Sequence, residues 1–96
     1  MKEAHFFSSK LSGEFNPFTA DNKALFELSL KFSSGDGIDI DYVAAHVCLN
    51  IAAMRGCKQS AEYRKELAAD MNNDEISQAQ REARTLIQMI KSKSEN

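Results

Sequence analysis

The feature that most constrains this chain is a stretch of about 38 residues, from Ala24 to Ala61, that contains two apolar stripes separated by glycines. Four residues at the spacing of one helix face form the first stripe: Ala24, Leu25, Leu28 and Phe32. Gly35 and Gly37 then interrupt it, and both residues tolerate positive φ. Ala45, Cys48, Leu49 and Ala52 form the second stripe. Gly56 follows where a helix typically ends. The pattern predicts two helices joined by a tight loop.

This stretch resembles a Sel1-like repeat, a relative of the tetratricopeptide repeat. The matching residues are Ala24, Leu28, Phe32, Gly35, Gly37, Ile38, Asp41, Ala45, Ala52, Ala53, Gly56 and Ala61. Three residues depart from the repeat pattern: Ser29 replaces a helix-contact glycine, Cys48 an aromatic residue, and Cys57 a capping Asn or Asp. The resemblance implies an all-α fold, a short α-solenoid of about four helices in antiparallel pairs with right-handed stacking. It also implies a role in protein interaction, as an adaptor or regulatory scaffold.

The resemblance and the composition together divide the chain into three parts. We expect residues 21–91 to form the Sel1-like helical domain and residues 92–96 to be a disordered tail. Residues 1–20 are an N-terminal tail in which Pro17 prevents a continuous helix. This tail is either disordered or docked on the first helix, and its phenylalanines favour docking because disordered segments are usually poor in aromatic residues.

Capping residues predict where the helices begin. Asp21 is suited to cap a helix over residues 22–34, and Asp41 a helix over residues 42–55. A third helix is predicted at about residues 58–70. It would be the first helix of a second repeat.

The last helix has the clearest start signal in the chain. Asn72 and Glu75 form an approximate capping box, and Met71 with Ile76 forms a hydrophobic staple. The apolar face that follows consists of Ile76, Ala79, Ala83, Leu86, Ile87 and Ile90. This segment resembles the helix that closes many Sel1-like proteins, and we expect it to cap the domain.

Composition excludes several classes of protein. The formal net charge of −2 is unlike that of a dedicated nucleic-acid-binding domain. No apolar run reaches the ~18 residues of a membrane span, and no apolar signal-peptide core follows Met1. Cys48 and Cys57 are nine residues apart, about 13 Å along a helix, which is too far for a disulfide. These observations predict a cytoplasmic protein with two free thiols.

Catalytic and metal-binding patterns are weak. Asp36, Asp39 and Asp41 lie near Gly37, but their order does not fit a calcium loop, and we expect a turn residue, a solvated residue and a helix cap. His46 and Cys48 are two residues apart, so they point to different helix faces, and we expect His46 at the surface or partly covered. We therefore expect no enzyme activity, cofactor or metal.

A small DNA-associated helix-turn-helix regulator is the alternative. Four cations surround the junction of the second and third predicted helices: Arg55, Lys58, Arg64 and Lys65. The third helix also carries Glu62, Glu66 and Asp70, which would face phosphates unfavourably. Nucleic acid is therefore not the expected partner.

The predicted interaction surface lies on the inner side of the first helix. Leu25, Leu28 and Phe32 point into the core, which leaves the opposite side to four residues without an evident core role: Lys23, Phe26, Leu30 and Ser33. Phe26 and Leu30 are four residues apart and should touch. Another protein or peptide, a second copy in a homodimer, or the chain's own Phe15 and Phe18 would cover them. In the alternative, a rotated helix places Phe26 in the core.

Overall fold

The computed structural model describes residues 20–94, which form four helices and no strand. The helices are α1 (Asn22–Ser34), α2 (Tyr42–Met54), α3 (Lys58–Ala68) and α4 (Asn73–Ser94). The prediction of an all-α chain with about four helices is therefore confirmed. The predicted docking of the N-terminal tail falls on residues 1–19, outside the described residues.

Helix α1 begins and ends with the predicted residues. The Asp21 carboxylate accepts a hydrogen bond from the Ala24 amide at 2.8 Å, which satisfies one free donor of the first turn. Gly35 ends the helix at φ 76°, and its amide donates to the Lys31 carbonyl at 2.8 Å. Local chemistry alone thus sets both boundaries of α1.

The loop between α1 and α2 depends on two glycines in the left-handed region. Gly35 has φ 76° and Gly37 has φ 82°, as the sequence predicted. A Cβ on Gly35 would also lie 2.8 Å from Cγ1 of Ile40. Ile38 packs against the core, and the Asp41 amide donates to the Phe32 carbonyl at 2.8 Å. The loop is therefore attached to α1 at its far end as well as its near end.

Helix α2 has a defined signal at each end. The Asp41 carboxylate accepts from the Ala44 amide at 3.0 Å, which confirms the predicted cap. At the other end Gly56 has φ 95° and its amide donates to Ala53, while the Cys57 amide donates to Ala52. These two bonds form the Schellman motif, which turns the chain sharply into α3.

Helix α2 is the centre of the core because it packs against each of the other three helices. The predicted stripe of Ala45, Cys48, Leu49 and Ala52 is buried, and so are Val43, Ala44, Val47 and Ile51 on the remaining sides. His46 is also buried, with 4% of its surface exposed, so the expectation of a surface or partly covered histidine was wrong. A stripe covers one face of a helix, whereas α2 has neighbours on several faces.

Two serines are buried in the helices that pack on α2, one in α1 and one in α3. Ser29 on α1 is fully buried, and its hydroxyl donates to the Phe26 carbonyl at 2.6 Å, which satisfies the polar group inside the core. Ser60 on α3 is buried as well and donates to the Cys57 sulfur. Helices α3 and α4 each pack mainly on α2 and make few contacts with each other. Stacking into a right-handed solenoid stays a prediction.

Helix α4 closes one side of the core. The Glu75 amide donates to the Asn72 side chain at 2.8 Å and the Asn72 amide donates to the Glu75 carboxylate at 3.0 Å, which confirms the capping box. Ala79, Ala83 and Leu86 are buried, as the apolar face predicted. The helix continues to Ser94, so it extends three residues beyond the predicted boundary at residue 91.

Replacement of Gly37 by alanine should lower the free energy of unfolding by about 1 kcal/mol, because an L-residue is strained at positive φ. No atom lies within 4 Å of the added Cβ, so the cost is conformational and involves no steric clash. Urea unfolding measures it. The neighbouring exposed residue provides the control, since Asp36→Ala should change stability by less than about 0.5 kcal/mol. Equal costs for the two variants would contradict the role assigned to this glycine.

Candidate protein-binding surface and polar groove

The predicted interaction residues of α1 lie beside α3. The rings of Phe26 and Tyr63 are 5.8 Å apart at 61°, an edge-to-face pair that joins the two helices. The Ser33 and Tyr63 hydroxyls are 2.9 Å apart and share a hydrogen bond. We call the surface formed by Phe26, Leu30, Ser33 and Tyr63 the α1–α3 surface. The edge-to-face contact and the hydrogen bond of the Tyr63 hydroxyl hold the two rings in place, so the surface is preformed.

The four predicted residues differ in how far they are exposed. Lys23 is exposed. Leu30 is a large apolar side chain that faces solvent, with 39% of its surface exposed. Ser33 is half-buried. Phe26 is also half-buried and packs against the core, so the expectation that it has no core role was wrong. Leu30 is therefore the apolar side chain of this set that is most accessible to a partner.

Tyr63 is the residue of this surface that the sequence reasoning missed. It follows Phe26 by the same number of residues as Ala61 follows Ala24, so the resemblance to a repeat would place the two aromatic residues at equivalent positions of successive first helices. In stacked repeats such positions are adjacent. A search for this internal correspondence would have paired Phe26 with Tyr63.

A second cluster of polar side chains lies on another side of α2. Arg64 of α3 donates through Nη1 to the Asn50 side-chain oxygen, and the Asn50 nitrogen lies 3.0 Å from Nδ1 of His46. Arginine has only donors, so it orients the Asn50 amide with its NH₂ group toward His46. Nδ1 of His46 must then accept, which only the neutral ring with its single proton on Nε2 can do. Burial, with the nearby Arg64 charge, lowers the pKa of His46.

Asn50 also lines an open groove of about 320 Å³ between α2 and α4. The other lining residues all belong to α4, and they are Gln80, Ala83, Arg84, Ile87, Gln88 and Lys91. Ala83 and Ile87 form an apolar floor, whereas the rim carries two amides and two cations. The sequence reasoning missed this groove because its two walls come from helices that are distant in the chain.

The two thiols lie in different environments. Cys48 is fully buried in α2, and burial raises the pKa of its thiol. Cys57 occupies the N-cap position of α3 without a side-chain capping bond, so the first turn of α3 is less well capped than those of α1 and α2. The Ser60 hydroxyl donates to the Cys57 sulfur at 3.1 Å and lowers the pKa of that thiol.

Two cations of the alternative DNA-binding cluster make hydrogen bonds within the protein. Arg55 donates to the Ala20 carbonyl at 2.6 Å, and Arg64 donates to Asn50. Lys58 and Lys65 are exposed.

Asp41, one of the three loop aspartates, caps α2. In the part of the chain that the structure describes, no three His, Cys, Asp or Glu side chains are grouped as metal ligands. None of the helices within residues 20–94 combines the length and hydropathy of a membrane span.

No known protein family, curated protein or solved structure matches the chain. The resemblance to the Sel1-like repeat therefore rests on the matching residues themselves.

Lowering the pH should destabilise the protein through His46. Its pKa is below the ordinary value of about 6.5 in the folded chain, so below that pH the unfolded chain binds a proton that the folded chain does not. The stabilisation is complete above about pH 6.5 and is lost as the pH falls below it, by at most about 1.4 kcal/mol per pH unit. Urea unfolding at about pH 7.5, 6.5 and 5.5 measures this slope.

The variant His46→Gln should show a smaller slope over the same range, whatever its absolute stability. NMR titration of the His46 ring should also give a midpoint below about 6.5. Identical slopes for the two proteins together with an ordinary midpoint would contradict the neutral state assigned to His46.

Proposed function

We propose that this protein is a non-catalytic interaction module that binds a short apolar segment of another protein at the α1–α3 surface. The observation that carries the proposal is the exposed Leu30 beside the fixed Phe26–Tyr63 pair. An accessible aliphatic side chain next to a preformed aromatic pair is typical of a binding anchor, because little conformational entropy is lost on binding.

The size of the surface favours a short segment over a second copy of the chain. A stable dimer usually buries about 800 Å² on each partner. The α1–α3 surface offers one exposed aliphatic side chain and parts of two aromatic rings. Lys23 at the start of α1 adds a charge that a partner's carboxylate would pair with. Such a surface suits one or two apolar side chains of a partner.

The resemblance to Sel1-like repeats supports the same function, since proteins of that family commonly scaffold complexes. This support is an analogy at the level of the fold. A cytoplasmic location belongs to the proposal, because a partly exposed thiol such as Cys57 suits a reducing compartment. The alternative, a DNA-associated regulator, would need the exposed Lys58 and Lys65 to contact phosphates.

Replacement of Leu30 by serine should weaken binding of the partner about tenfold or more, since a buried leucine contributes about 1.5–3 kcal/mol. Met54→Ser is the matched control, because Met54 is similarly exposed at 42% but lies at the end of α2. Partners would be captured from an extract of the source organism, purified, and titrated by calorimetry against the wild-type chain and both variants.

Two results would contradict the proposal. One is equal binding by the Leu30 and Met54 variants. The other is a wild-type dimer that Leu30→Ser converts to a monomer in light-scattering measurements, which would make the α1–α3 surface a contact between copies. A DNA duplex that binds at physiological salt and is lost on replacing Lys58 and Lys65 would favour the alternative.

A further inference from the structure

Helices α3 and α4 each pack on α2 but make few contacts with each other. Part of the α2 surface therefore stays open as a groove beside α4. Asn50 lies where α2 remains uncovered, half-buried at the base of the groove. Its amide is held by Arg64 on one side and His46 on the other. His46 is itself almost fully buried, so Asn50 is attached to the core. A polar group fixed in this way at the base of an open groove is arranged for binding.

One face of α4 supplies the opposite wall. Gln80, Arg84, Gln88 and Lys91 recur at intervals of three or four residues and so lie along one side of the helix. From Gln80 to Lys91 this row extends about 16 Å, at 1.5 Å per residue. An extended peptide of about five residues has the same length.

The charges around the groove have one sign. Arg84 and Lys91 line it, and Arg64 contacts its base through Asn50. None of the described lining residues is acidic, although the chain as a whole has a net charge of −2. The groove is thus a local positive site on an acidic protein.

We propose that this groove binds an acidic, extended peptide segment of another protein. Arg84 and Lys91 pair with its Asp or Glu carboxylates. The amides of Asn50, Gln80 and Gln88 each donate and accept, which matches the groups of a peptide backbone. Ala83 and Ile87 contact the aliphatic part of the bound side chains. A peptide fits better than nucleic acid, because the apolar floor has no counterpart in a phosphate backbone and the positive area is confined to one groove.

The groove is lined by residues of α2 and α4, whereas the α1–α3 surface lies on the other two helices. The two proposals are therefore tested by different variants. The probe is a blocked hexaglutamate peptide, titrated into ¹⁵N-labelled protein at about 50 mM salt, where screening is weak. Binding should shift the resonances of Asn50, Gln80 and Gln88 most.

The double variant Arg84→Gln with Lys91→Gln should bind the peptide at least about tenfold more weakly, because it removes both cations that pair with the peptide's carboxylates. The matched control is Arg81→Gln with Lys31→Gln, which removes the same charge from two exposed residues outside the groove. It should stay within about twofold of wild type, the size expected of a long-range charge effect. All four sites are exposed, so both variants should keep the wild-type thermal midpoint.

Three results would overturn the proposal. The wild-type chain could show no shifts with the peptide, or the control variant could lose as much affinity as the groove variant. A short DNA duplex that shifts the same resonances at lower concentration than the peptide would assign the groove to nucleic acid instead.

Discussion

The burial of most of α2 is the constraint on which the rest of the structure depends. Most side chains of α2 are valine, isoleucine, leucine, cysteine or alanine, and residues 43–49 are buried without interruption. A helix that is apolar on several faces is stable only with neighbours on those faces. Helices α1, α3 and α4 are those neighbours, and each has α2 as its main contact. Their own buried residues are few, so none of them would hold its position without α2.

Both candidate binding surfaces follow from this arrangement. Three helices around one leave seams between them, and the seams differ in chemistry. Between α1 and α3, Phe26 and Tyr63 form an edge-to-face pair, and Leu30 is exposed. Between α2 and α4 the groove stays open, with Asn50 and the cations of α4 in its lining, and Arg64 of α3 donates to Asn50. The first surface suits apolar side chains and the second suits carboxylates.

Much of the local structure could be predicted because it depends on neighbouring residues. The caps Asp21 and Asp41, the capping box at Asn72 and the positive φ of Gly35, Gly37 and Gly56 all follow from backbone chemistry within a few positions. The burial of His46 and the pairing of Phe26 with Tyr63 could not be predicted in this way. Each depends on which helix lies across from it, and periodicity within one helix gives a face but not the neighbour that covers it.

Native-state hydrogen exchange tests the central role of α2 most directly, because it reports the opening free energy of each helix separately. If α2 holds the other helices in place, the amides of Leu49 and Ile51 should exchange only through global unfolding, with the free energy found by urea denaturation. Amides of α1 and of the C-terminal half of α4 should exchange at lower free energy, since each of these elements can detach while α2 remains formed. Protection of α4 equal to or greater than that of α2 would contradict the account.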